Sequence, residues 1–160
     1  MKTYLLLFCI PALLLASIGN VSAVKGVAKI ERNTKSIAIK YGSAIEERDK
    51  IVTQNNSKVQ IILKDQTVVT IGENSKYSFN EYKFDTKANS KANMKLSHGF
   101  FRVVTGKIGK IAPERFKIQT KSATIGIRGT HFFGLVKRKY EEVGCIRGKI
   151  SVLTKLRNFK

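Results

Sequence analysis

Short runs of alternating apolar and polar residues, separated by turn residues, dominate the chain after residue 24. Lys58–Leu63 is typical, because every second side chain is apolar, and residues 67–71 repeat the pattern after a polar turn at 64–66. Alternation with a period of two indicates a strand with one buried face, and helical periodicity is almost absent. Such closely spaced strands predict a single all-β domain, either an antiparallel β-sandwich or a short β-roll of about ten to twelve short strands.

The first 23 residues follow a different pattern. A basic start at Lys2 precedes an apolar run over residues 4–16, and the small residues of Val21-Ser22-Ala23 follow. This layout is typical of a secretory signal peptide. The apolar run is shorter than the roughly 20 residues that a single membrane anchor needs. We therefore predict a cleavable signal peptide over residues 1–23, cut after Ala23, and a mature domain over residues 24–160 in the periplasm or outside the cell, with no transmembrane segment.

The charge balance is strongly basic, with 30 Lys and Arg against 11 Asp and Glu and a net charge of +19. A basic surface attracts polyanions in a salt-dependent way. Anionic lipid, lipopolysaccharide, acidic glycan or an acidic protein could meet an exported chain, whereas nucleic acid is not expected because no recognition helix is present. The alternative is simple solubility, since lysines are spread over the whole chain. The candidate polyanion contacts are Arg102, Lys107, Lys110, Arg115, Lys117 and Lys121.

The pattern of reactive side chains does not predict a catalytic or metal site. His98 and His131 have no second histidine or cysteine at ligand spacing. The adjacent acids Glu46-Glu47 and Glu141-Glu142 point to opposite faces of a strand. The GKIGK run at 106–110 departs from a phosphate loop at two required positions. We predict a protein that is not an enzyme and that uses no cofactor.

Cys145 is the cysteine that remains after the predicted signal peptide and its Cys9 are removed. A lone thiol in an oxidising compartment is either buried and inert or paired between two chains. Apolar Val143 and Ile146 nearby favour a buried thiol.

Four short motifs in a fixed order resemble the FecR domain. They are DKIVT (residues 49–53), DQT (65–67), LSHGFFR (96–102) and ATIGIRGT (123–130). Members of that family tend to show GD-x-I-x-T, DGT, L-x-x-G-x-x-R and T-x-x-A-x-x-G-x-R-G-T in this succession, so the resemblance covers roughly residues 39–153. Arg48 and Gln66 stand where the family commonly has glycine. The resemblance marks nine positions that we interpret as structural: Asp49, Thr53, Asp65, Thr67, Gly99, Gly126, Arg128, Gly129 and Thr130.

The resemblance implies an exported binding or sensing module that engages an envelope protein partner through sheet edges or loops, in a signalling or regulatory context. The control of a sigma factor, known from membrane-anchored members of the family, is not expected to carry over. The alternative is an envelope protein that binds polyanions with its basic C-terminal half.

The GIRGT run combines glycine and arginine within strand sequence. Ile125 and Ile127 share one face, so Gly126 and Arg128 share the other. Glycine at 126 permits close packing, and Gly129 can adopt positive φ and form a bulge. We expect Arg128 to be a structural tie to a buried carboxylate, with Asp49 and Asp65 both open as partners, and not a ligand contact. We expect the Thr130 hydroxyl to bond the bent backbone locally.

Overall fold

The computed structural model describes residues 17–85 and 89–154, and this part of the chain is 66% strand and 5% helix, with turns and loops between the strands. Twelve strands form one curled, mainly antiparallel sheet, which confirms the predicted all-β class. One helical turn and one 3₁₀ turn follow β9. The elements are β1 (Ser17–Lys25), β2 (Ala28–Arg32), β3 (Lys35–Ala38), β4 (Ala44–Glu46), β5 (Lys50–Thr53), β6 (Lys58–Leu63), β7 (Val68–Ile71), β8 (Lys76–Lys83), β9 (Lys91–Val104), α1 (Ile108–Ile111), the 3₁₀ turn (Pro113–Arg115), β10 (Phe116–Gln119), β11 (Ala123–Val136) and β12 (Glu141–Thr154).

Three strands of 14 residues each, β9, β11 and β12, connect two parts of the sheet. Residues 91–98 of β9 lie between β8 and β10, whereas residues 99–104 lie between β7 and β11. We call the first part, from β3 to the beginning of β11 and the end of β12, the first half of the sheet. The second half contains β4, β1, β6, β7, the ends of β9 and β11 and the beginning of β12. The run of β11 is continuous from one half to the other.

Glycines in the left-handed region mark the bends of these long strands. Gly99 in β9 has φ +97°, and a Cβ atom there would lie 2.1 Å from the Ser75 Oγ. Gly129 in β11 has φ +58°, as predicted for a bulge, and the register with β12 shifts beside it. Gly148 in β12 has φ +89°, and a Cβ atom would lie 2.2 Å from the Gly129 carbonyl oxygen. Glycine is required where the strand turns and the neighbouring backbone is this close.

The inward side chains of both halves form one hydrophobic core. Aromatic rings occupy its centre: Phe101 lies 5.6 Å from Phe132 and 5.9 Å from Tyr77, measured between ring centroids. All three side chains are fully buried. Because Tyr77 belongs to the first half of the sheet and Phe132 to the second, these contacts hold the curled halves together.

β1 lies between β4 and β6 and is part of this core. Its Ile18 and Val21 are buried, and the Val21 N–H donates to the Ser43 carbonyl at 3.0 Å. Residues 17–23 of the predicted signal peptide are thus built into the sheet, while residues 1–16 lie outside the described part. Cleavage after Ala23 stays a prediction, and it would remove most of β1. The described part contains no helix of the length and hydropathy that crossing a bilayer requires.

Candidate functional site

Asp49 is a buried carboxylate that an arginine holds in place. The Nε and Nη2 atoms of Arg32 each donate to one Asp49 oxygen at 2.7 Å, and Nη1 donates to Glu46 at 2.6 Å. The Glu46 N–H also donates to the Asp49 Oδ2 at 2.8 Å. This two-pronged geometry, with Asp49 as the main cause, raises the pKa of Arg32. The pair connects β2 to the turn after β4.

Asp65 is buried in a second cluster that contains no cation. The Tyr82 hydroxyl donates to one oxygen at 3.0 Å, and the Thr67 hydroxyl donates to the other at 2.7 Å. The backbone N–H of Ile108 donates to the same oxygen as Thr67, at 3.2 Å. Burial first, and then the Asp65 charge, raise the pKa of Tyr82, so its hydroxyl keeps its proton and donates. Asp65 therefore joins the β6–β7 hairpin to β8 and to the beginning of α1.

Arg128 does not form the predicted tie. The Asp49 carboxylate already accepts hydrogen bonds from Arg32, and the Asp65 carboxylate accepts them from hydroxyls and backbone N–H groups. The Arg128 side chain is exposed on β11 and makes no hydrogen bond or ion pair with a described residue. The physical reason is the alternation itself, because Arg128 shares the outward face with Gly126 while Ile125 and Ile127 point into the core.

The other residues of the GIRGT run act through their backbone. The Thr130 N–H donates to the Thr105 hydroxyl at 2.9 Å, and the Thr105 N–H donates to the Thr130 carbonyl at 3.0 Å. The buried Thr130 hydroxyl has no partner among the described residues, so the local bond expected of it is absent there. A Cβ atom on Gly126 would lie 2.6 Å from the Ser151 Oγ of β12, which is the close approach that glycine permits.

Two further signature positions, Thr53 and Gly99, meet at one turn. The Thr53 hydroxyl donates to the Gly72 carbonyl at 2.6 Å and accepts from the Ser75 N–H at 3.0 Å. The Ser75 hydroxyl accepts from the N–H of Phe100, directly after Gly99, at 2.9 Å. The signature residues apart from Arg128, Gly126 and Gly129 are therefore buried and engaged within the fold, which supports their structural interpretation.

Sequence reasoning missed Arg32, although one signal was present. Ala28, Ile30 and Arg32 alternate, so Arg32 follows two apolar residues on the inward side of β2. A cation at an inward position needs a buried acid. That acid, Asp49, is 17 residues away along the chain.

Gln66 and Arg48 adopt φ +68° and +71°, at the two positions where the family commonly has glycine. The hairpin persists, because the Gln66 N–H donates to the Leu63 carbonyl at 2.9 Å. A residue other than glycine in the left-handed region is strained and destabilises the folded state, whereas glycine is not strained there.

We expect Gln66→Gly to raise the free energy of unfolding by about 0.5–1 kcal/mol, because it relieves this strain at an exposed position. Denaturant unfolding measures the change. Lys64→Gly in the same turn is the matched control, because Lys64 does not have positive φ. This variant should have a lower free energy of unfolding than the wild-type protein. A loss of stability in Gln66→Gly would show that the turn is not strained.

The six candidate polyanion contacts do not form one continuous surface. Arg102 and Lys117 project from different halves of the sheet, and Arg102 donates to the His131 Nε2 at 2.5 Å. Partial burial, and then Arg102, lower the pKa of His131, which favours the neutral ring. Lys107 lies 6.0 Å from the centre of the Phe84 ring, and Arg115 donates to the Asn89 carbonyl. The six residues are placed as follows: Arg102 on β9, Lys107 and Lys110 at α1, Arg115 in the 3₁₀ turn, Lys117 on β10 and Lys121 in the β10–β11 turn.

Strand pairing instead gathers a different set of cations. Residues directly opposite each other in a sheet share a face. One register row crosses seven strands of the first half through Glu31, Lys50, Ser78, Lys95, Gln119, Thr124 and Leu153. We call the outward side that contains this row the basic face. Its charged members are Lys29, Glu31, Lys50, Lys76, Glu81, Lys83, Lys91, Lys95, Lys117, Arg128 and Lys149.

β12 forms an edge of the sheet, since it pairs with β11 and with no other described strand. Most of its side chains are exposed, including Ile146 at 56% and Leu153 at 72%. Cys145 is also exposed, so the expectation of a buried thiol is wrong. Cys145 lies opposite buried Phe132, but no further strand covers it. We call this strand margin the β12 edge.

Within residues 17–85 and 89–154, no three His, Cys, Asp or Glu side chains converge as a metal site would require. β3 and β4 are also edge strands, but they have four and three residues, against 14 in β12. Two larger exposed features could engage another molecule, the β12 edge and the basic face.

In the comparison with protein families, residues 49–151 match the family described as "FecR protein". The matched range begins at Asp49 and includes every signature position. None of the curated proteins compared with the chain matches it.

Proposed function

The chain belongs to the FecR family, and on this premise we propose that it is a non-enzymatic sensing module that binds a protein partner in the cell envelope. Membership of this family indicates a sensing or regulatory module. The N-terminal pattern supports a place outside the cytoplasm.

The observation that carries this proposal is the β12 edge. One side of this 14-residue strand carries backbone N–H and C=O groups that no described strand pairs. Val143 and Ile150 are half-buried against the core, so an added strand would also extend apolar packing. Partner strands commonly add to such an edge, where backbone bonds supply affinity and side-chain pockets supply specificity. We infer that the partner contributes a strand that pairs with β12.

Site-specific photo-crosslinking in the native cell tests this inference. A photoreactive residue at Leu153 should crosslink to one defined protein, which mass spectrometry identifies. The same residue at Ile62 is the control, because Ile62 is 44% exposed but lies on β6, which has strands on both sides. We expect the crosslink from position 153 and not from position 62. Crosslinks from position 62 alone would contradict a role for the β12 edge.

A matched pair of double variants measures the edge contribution with the purified partner. Ile146→Lys with Leu153→Lys should weaken binding at least about tenfold, because charge on an edge strand opposes strand addition. Ile62→Lys with Val104→Lys adds the same charge at residues that are 44% and 42% exposed within the sheet, and should leave binding unchanged. Equal losses in both would show that overall charge, and not the edge, governs binding.

A second candidate function is binding of polyanions in the envelope, which the gathering of cations on the basic face favours. The cations of the basic face would then be the contacts, in place of most of the six contacts suggested by the sequence. Lys117 belongs to both sets.

A further inference from the structure

We propose that the basic face docks on a lipid surface that carries anionic head groups. The inference rests on the second candidate function and names its site and its ligand. It is carried by three properties of the face: cations without partners, a pair of like charges placed side by side, and an arrangement that extends in two dimensions.

Five cations of the basic face form no ion pair with an acid among the described residues, although Lys50 lies opposite Glu31 and, after Lys76, contributes to lowering its pKa. The acids present are already engaged: Glu31 binds Lys76 at 3.1 Å and Lys29 at 3.7 Å, and Glu81 binds Lys91. Lys83 pairs with Asp85 beyond the end of β8. The cations left unpaired are Lys50, Lys95, Lys117, Arg128 and Lys149, and each is exposed.

Arg128 and Lys149 lie directly opposite each other on β11 and β12. Like charges at this position destabilise a strand pair, and neither side chain has a described acidic partner. A shallow cavity of about 350 Å³ lies beside them, lined also by Ser151 and by Glu114, whose carboxylate pairs with Arg115 and not with Arg128 or Lys149. An anion that binds both side chains would remove the repulsion. The arrangement therefore favours an anionic ligand over a purely structural role for these charges.

The cations extend in two directions over the curled half-sheet, across the strands and along them. Lys50 on β5, Lys95 on β9 and Lys149 on β12 come from strands spread across the half-sheet. At about 4.8 Å between neighbouring strands, the row from β2 to β12 spans about 30 Å. Small polar side chains such as Ser78 and Thr124 separate the lysines, so the lysine ends project furthest. A broad array of this kind matches a plane of head groups better than a single small anion or one linear polymer.

The outward side of the second half provides the contrast. A row there runs through Gln60, Thr70, Arg102 and Phe133. Arg102 is engaged with His131. Apolar side chains occupy many of the remaining outward positions: Ile62, Val68, Phe100, Val104 and Leu135. The same side of this half also carries Lys25, which lies opposite Lys58, and Arg147, which lies opposite His131. With Arg102, four cations lie on this side against the nine of the basic face, so the cations are more numerous on the first half of the sheet.

Vesicle co-sedimentation of the full chain tests the proposal. The lipids are phosphatidylcholine alone and phosphatidylcholine mixed with phosphatidylglycerol. We expect binding to the mixed vesicles only, and a steep loss of binding as salt is raised. The triple variant Lys50→Gln, Lys95→Gln, Lys117→Gln should bind about a hundredfold more weakly. The matched control is Lys58→Gln, Lys64→Gln, Lys110→Gln, which removes the same charge from exposed residues off the face and should lose much less.

Any other outcome contradicts a defined part of the proposal. Equal losses in the two triple variants would refute a localised face. Binding of wild-type protein to the soluble sulfated polymer heparin, but not to mixed vesicles, would overturn the lipid surface while keeping the second candidate function. Binding to neither would overturn both. Circular dichroism of each variant confirms that it is folded before its binding is scored.

Discussion

Arg32→Ala should lower the free energy of unfolding by about 3–5 kcal/mol, because it leaves the Asp49 carboxylate buried without its cation. Both Asp49 oxygens accept from Arg32 at 2.7 Å, and the Asp49 side chain has no exposed surface. Glu46 loses the same partner at 2.6 Å. For a domain of this size, the loss corresponds to a decrease in Tm on the order of 10 °C. Thermal and denaturant unfolding of the purified protein measure it.

Arg128→Ala is the matched control for this prediction. It removes the same side chain from the signature run, but Arg128 is exposed and has no described partner. Its effect should stay within about 0.5 kcal/mol. Arg32→Lys should lie between the two, since lysine keeps the charge and loses the two-pronged geometry. If Arg128→Ala were the more destabilising of the alanine variants, the assignment of Arg32 as the tie would be refuted.

A chain that begins at Val24 should be less stable than one that begins at Ser17 by at least about 3 kcal/mol. The deletion removes Ile18 and Val21 from the core, and burying each such side chain is worth about 1.5–3 kcal/mol. It also removes the backbone hydrogen bonds that β1 makes with β4 on one side and with β6 on the other. Thermal unfolding of the two purified chains measures the difference.

The two chains also allow a rescue experiment. A synthetic peptide of residues 17–23 should raise the Tm of the shorter chain in a concentration-dependent way, because it refills the gap between β4 and β6. A peptide with Ile18 and Val21 changed to serine is the control and should have no effect. Equal Tm values for the two chains without peptide would show that β1 contributes little. Mass spectrometry of the exported protein would then place the cleavage site independently.

Much of the fold was predictable because strand formation depends on local alternation. The pattern at Lys58–Leu63 and 67–71 predicted the β6–β7 hairpin, which the structure contains. Gly129 was expected at a bulge and occupies one. The prediction of a buried Cys145 was wrong, because burial in a sheet depends on the neighbouring strands. The local sequence around Val143 and Ile146 does not show that β12 is an edge strand.

The candidate sites were less predictable because they depend on pairings between distant residues. Arg128 was assigned to a buried carboxylate by residue type alone, whereas the inward side of β2 brings Arg32 to Asp49. The polyanion contacts were chosen as neighbours in sequence between residues 102 and 121. In the sheet, neighbours in sequence alternate between faces, so such a cluster is divided.

By itself, the sequence determined the all-β class and the ordered motifs of the family, because alternation, turn residues and motif order are local properties. Only the tertiary structure decided the partner of Asp49, the exposure of β12 and the gathering of Lys50, Lys95 and Lys117 on one face. Each of these depends on strand register, which places residues far apart in the chain side by side.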